Sequence, residues 1–64
     1  MRNKLKKYRE SKGLTQEQLA EKSEVSRNTI SAIETGANTN ITYETMENLA
    51  NALEDKVSTI FFEE

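Results

Sequence analysis

Residues 14–36 read LTQEQLAEKSEVSRNTISAIETG, and the spacing within them decides the fold. Thr15 can accept a hydrogen bond from the Gln18 amide while the Gln18 side chain reaches back, a capping box that starts a helix. Leu14 before the cap and Leu19 inside the helix form the matching hydrophobic staple. Only Ser23, Glu24 and Val25 separate this helix from the next, whose start repeats the staple as Val25, Ser26 and Ile30. A break of that length is too short for a parallel neighbour to return, so it sets two short helices at a fixed crossing angle. The second of them ends at Glu34, Thr35 and Gly36.

The same signals extend outward. Ile41, Thr42 and Met46 repeat the staple for a further helix, which runs to about Leu53 with Met46, Leu49, Ala50 and Leu53 at helical spacing. Ahead of the opening stretch, Leu5 and Tyr8 share one face of a lysine-rich helix from about Asn3 to Lys12, with Gly13 placed for a left-handed stop. The tail, VSTIFFEE, carries Val57, Ile60 and Phe61 at i, i+3 and i+4 and predicts a short fifth helix closing the core. Its β-branched residues make a terminal strand the alternative. The fold class expected is all-α, five helices around one core.

Sixty-four residues with 34% hydrophobic content suit one domain spanning residues 1–64, near the size where a single core barely outweighs chain entropy. The absence of Cys and His excludes disulfides, thiolate or imidazole metal sites, Cys nucleophiles and His bases. No enzyme, cofactor or metal is therefore expected, and no small-molecule ligand is evident. No apolar run approaches the roughly 18 residues that span a bilayer, and no signal-peptide pattern is present. A cytoplasmic protein without membrane contact is the expectation.

Net charge is −2, which by itself argues against a nucleic-acid partner. The distribution is uneven, however. Residues 1–36 hold eight basic and five acidic side chains, a net +3, whereas residues 37–64 hold Lys56 against six acids, a net −5. Such a dipole can orient a small protein toward a phosphate backbone, although ordinary solvated helix surface would read similarly.

The helix after Ser26 carries the sharper signal. At about 100° per residue, Ile30 and Ile33 mark its buried stripe, and Asn28, Ser31, Ala32 and Thr35 fall opposite, with Arg27 on the flank. A helix that meets only water usually exposes Lys and Glu, so this small, uncharged face with one Arg is unusual. It suits base edges in a major groove about 12 Å wide: Arg pairs with guanine, Asn with adenine, Ser with several acceptors, and the Ala methyl meets a thymine methyl. Small-residue packing on another protein would look the same. Gln16, first in its helix, lies where unpaired amides and the helix dipole favour phosphate.

Glu34 presents a separate problem. It sits in the last turn, where the helix dipole disfavours a carboxylate, and only about 70° from the buried stripe. Arg9 follows Leu5 by four residues and so flanks the core side of the first helix. The spacing predicts an Arg9–Glu34 ion pair.

GLTQEQLA at residues 13–20, VSRNTISAIETG at 25–36, TYETMENLANAL at 42–53 and the closing IFF together resemble the lambda-repressor-like family, the Cro/C1-type or XRE-type helix-turn-helix domains. The resemblance implies base contacts from Arg27, Asn28, Ser31 and Ala32, with Gln16 beside them. It implies phosphate contacts from Gln16, Thr29, Thr35 and the loop beyond Gly36, where Asn38 is the candidate. An Arg of the first helix paired with the Glu before Gly is also frequent in the family. Two departures are visible: the loop of Ala37, Asn38, Thr39 and Asn40 lacks a basic residue, and Ile41 stands where many members have Pro. The loop's grip on phosphate should be weaker for it.

Family members commonly bind two half-sites as symmetric dimers, recognition helices about 34 Å apart. The expected dimer interface is the apolar end, Ile60, Phe61 and Phe62, with Phe62 the exposed member. The function implied is sequence-specific binding of double-stranded DNA by a transcriptional regulator, a repressor occupying an operator as a homodimer. The alternative is a protein-interaction module, such as an antitoxin or anti-repressor partner, on the same fold.

Overall fold

Three side-chain caps start the three central helices of the chain. In the computed structural model, which describes residues 3–37 and 40–62, the helices are α1 (Leu5–Ser11), α2 (Gln16–Ser23), α3 (Arg27–Thr35) and α4 (Tyr43–Ala52), followed by a π-helical segment, Ser58–Phe62. No strand occurs among the described residues, and the architecture is all-α.

At α2 the Gln18 amide donates to Thr15 Oγ1 (3.0 Å) and the Thr15 amide donates to Gln18 Oε1 (2.8 Å), so the capping box is closed in both directions. Ser26 accepts from the Thr29 amide at 3.1 Å, and Thr42 accepts from the Thr45 amide at 3.1 Å. Both of these helices carry Thr where a capping box needs Glu or Gln. The cap hydroxyl therefore donates to that Thr hydroxyl instead, at 2.8 Å in α3 and 3.0 Å in α4. Behind each cap the inner staple residue, Leu19, Ile30 or Met46, is buried.

α1 begins later than the sequence pattern suggests, because Asn3 works outside the helix. Its side-chain oxygen accepts from the Leu5 amide at 2.9 Å, and its nitrogen donates to the Ile33 carbonyl at 3.1 Å. One residue thus satisfies an orphan amide at the start of α1 and a carbonyl in the last turn of α3.

The turn between α2 and α3 is held by Ser23, which is buried. Its hydroxyl donates to the Leu19 carbonyl at 2.7 Å and accepts from the Val25 amide at 3.2 Å. Glu24 then reverses the chain at φ 61°, a left-handed conformation that costs a side-chain-bearing residue roughly 1–2 kcal/mol. Glu24 is exposed, and among the described residues its carboxylate has no hydrogen-bond or ion-pair partner. Glu24→Gly should therefore stabilise the domain by about 1 kcal/mol after the larger unfolded-state entropy of Gly is counted, an increase in melting temperature of about 4–8 °C. A thermal melt that does not move upward would contradict this.

α2 packs against both α3 and α4, while α1 packs against α3 and the terminal segment. Leu5, Leu19, Ile30, Ile33, Leu49, Leu53 and Ile60 are the fully buried side chains at the centre, ringed by Val25, Met46, Ala50 and Phe61. The short fifth helix forms and closes the core, wound as a π-helical turn, and the alternative strand does not form. Its wider turn narrows the angle between successive side chains, so Ile60 and Phe61 both enter the core. The Lys4 amide donates to the Ile60 carbonyl at 2.8 Å and ties the two ends of the domain together. This corrects the expectation for residues 60–62 as a contiguous dimer surface. Ile60 and Phe61 belong to the monomer core, and Phe62 remains outside at 62% exposure.

Candidate nucleic-acid interface

α3 is divided sharply between its two sides. Ile30 and Ile33 have no exposed surface, whereas Arg27, Asn28 and Thr35 are exposed and Thr29, Ser31 and Ala32 are partly so. The outward set derived from the helical angles is therefore accessible along the length of the helix. Ala32, in the middle of it, keeps the surface low.

The amino end of α2 is fastened to the carboxyl end of α3 through Glu34. Arg9 Nε donates to Glu34 Oε2 at 2.7 Å and Nη2 donates to Oε1 at 3.1 Å, a two-point contact between planar groups. Arg9 Nη1 donates to the Leu14 carbonyl at 2.7 Å, just ahead of the α2 cap. Gln16 Nε2 donates to the same Glu34 Oε1, 3.1 Å away. The two charged side chains are 10% and 3% exposed, so this is a buried pair whose polar atoms are met from three elements. Burial by itself pushes the Glu34 carboxyl up. The hydrogen bonds from Arg9 and Gln16, with the charges of Arg9 and Lys6, outweigh that and hold it below the ordinary carboxylate range. The Arg9 guanidinium is correspondingly raised, first by its hydrogen bond to Glu34.

Three polar candidates differ in what they can offer a phosphate. The Thr29 hydroxyl accepts from Ser26, so its own hydrogen is free to donate outward. The Thr35 hydroxyl donates to the Ala32 carbonyl at 3.2 Å and must change partner to reach an anion. Gln16 uses one amide hydrogen on Glu34 and keeps the other, on a side chain that is partly exposed. Arg27 at the start of α3 has its Nε 3.7 Å from Glu17 Oε1 in the first turn of α2. Asn38 lies outside the described residues.

A helix-turn-helix family model matches residues 5–56, which takes in all four α-helices and the turn between α2 and α3. The chain belongs to the Cro/C1-type helix-turn-helix family. Members of this family are DNA-binding transcription regulators. Among solved structures, the chain is similar to the SinR protein, determined as a SinR–SinI complex, with 34% identity and a TM-score of 0.83. The match covers 88% of this chain and 54% of that one, so the chain spans about half the length of SinR in that complex. No curated protein matches. Among the described residues no helix is long and apolar enough to cross a membrane.

Several features of this candidate interface escape the sequence pattern. The Gln16–Glu34 and Glu17–Arg27 contacts bridge residues 18 and 10 positions apart and depend on how α2 crosses α3. Ser23 and Asn3 read in the sequence as ordinary small polar residues at helix ends. The Asn3 side chain just ahead of Leu5 was the one available signal, since Asn favours such capping roles.

Proposed function

We propose that the chain is a sequence-specific reader of double-stranded DNA that represses transcription by occupying an operator as a homodimer. It acts as one domain over residues 1–64. The observation that carries this reading is the face of α3. Six consecutive or near-consecutive side chains, Arg27, Asn28, Thr29, Ser31, Ala32 and Thr35, are accessible, small or hydrogen-bonding, and mounted on a helix anchored behind by two wholly buried isoleucines. Arg27, Asn28, Ser31 and Ala32 are the base readers, and Gln16, Thr29, Thr35 and Asn38 hold phosphates and set the register.

Selection of bound sequences from random duplex DNA tests the reading. A single enriched motif with two-fold symmetry is expected, with affinity falling steeply as salt rises because Lys and Arg release counterions from the phosphates. No enrichment at low salt would reject it. That outcome would favour the second reading, a protein-interaction module, which draws support from the SinR structure having been solved with a second protein.

For the homodimer, Phe62 is the exposed apolar side chain at the closed end of the domain, with Tyr43 at the start of α4 also exposed. Phe62→Ser should leave a folded domain that sediments as a monomer. Loss of two-site binding should then weaken operator affinity by about 100-fold or more. An unchanged sedimentation mass would retire Phe62 from the interface.

A further inference from the structure

We infer that Glu17 is a positioning residue for Arg27, holding its guanidinium for two-point pairing with guanine. The inference rests on the DNA-reading function proposed above and adds a residue from the neighbouring helix to it. Glu17 is in the first turn of α2 and Arg27 opens α3. Both are placed by side-chain caps, Thr15 for α2 and Ser26 for α3, so the backbone under each is fixed. Glu17 Oε1 approaches Arg27 at Nε, 3.7 Å away.

The atom used matters. A guanidinium recognises guanine O6 and N7 with a fork of two N–H groups, and contact at Nε leaves the Nη pair to supply it. Without Glu17 the long Arg side chain samples many rotamers, and part of its pairing energy goes into ordering it. The two side chains are 56% and 75% exposed, so the pair is solvated and its strength modest. A carboxylate at this surface also repels phosphate. Glu17 therefore lowers affinity for any duplex while raising discrimination at one base pair, a split that neither a helix-stabilising acid nor simple repulsion produces.

The test uses the full chain and the duplex it selects from a random library, together with that duplex altered at the guanine lost when Arg27→Ala relaxes the motif. Glu17→Gln should bind the altered duplex more tightly than the parent protein does. Its ratio of selected to altered affinity should fall about two- to fivefold, as expected for an exposed ion pair. In an Arg27→Ala background Glu17→Gln should leave that ratio unchanged. Equal tightening on both duplexes would overturn the inference and leave only charge repulsion. An Arg27→Ala variant with unaltered base preference would overturn it as well. Failure of the parent chain to select any duplex would instead reject the DNA-reading function on which it rests. Circular dichroism checks that each variant is folded, which the exposure of both side chains predicts.

Discussion

Glu34→Ala should cost about 3–5 kcal/mol of folding stability, because it strands the Arg9 guanidinium in a site where that side chain is only 10% exposed. A 64-residue domain at 0.05–0.15 kcal/mol per residue has roughly 3–10 kcal/mol in total. The variant should therefore be largely unfolded at moderate temperature. Replacing both partners with apolar side chains of similar volume, Arg9→Met with Glu34→Leu, should recover most of the loss, since neither charge then needs a partner. Chemical denaturation of the three proteins checks this. A single variant as stable as the parent would remove the account of the pair.

The same pair sets an acid limb. Glu34 in the folded protein has its carboxyl lowered from the ordinary value of 4.5, so the unfolded chain binds the proton more readily. Its contribution is then complete above the ordinary carboxylate range and is lost as pH falls through the lowered folded value. The stability difference between the parent and Glu34→Gln should be flat near neutrality and shrink on acidification below about pH 4.5. A difference that grew in acid would reverse the assignment.

Ala32→Glu should abolish specific DNA binding while leaving the fold in place. Ala32 sits midway along the outward side of α3, where a carboxylate would be carried into the groove between two rows of phosphates. Like-charge contact of this kind costs several kcal/mol, so affinity should drop by at least about 100-fold. Glu is a good helix former, and the helix itself should tolerate it. A melting temperature close to the parent's with binding lost identifies the effect as recognition. Binding retained within a few-fold would show that α3 does not enter the groove by this side.

The starts of α2, α3 and α4 were legible because each is a local signal: a cap hydroxyl, an amide three residues on and two apolar residues that close over it. The outward side of α3 was legible for a related reason, since helical angles convert spacing into direction once Ile30 and Ile33 are taken as buried. Even the Arg9–Glu34 pair could be anticipated, from one residue on a core flank and another left unfavourably at a helix end. The end of the chain was legible as a short helix, but its π-helical winding was not. Val57, Ile60 and Phe61 fit a helix by spacing and a strand by propensity. The π-helical turn is chosen by space in the core and by the Lys4 amide meeting the Ile60 carbonyl.

By itself, then, the sequence determined the element order, the caps and the side of α3 that faces outward, all of which follow from interactions within about five residues. Beyond the Arg9–Glu34 pair, only the tertiary structure decided which polar side chains become partners. Gln16 with Glu34, Glu17 with Arg27 and Asn3 with the end of α3 depend on the crossing of helices. That crossing is set by how the buried side chains pack together, and no local spacing encodes it.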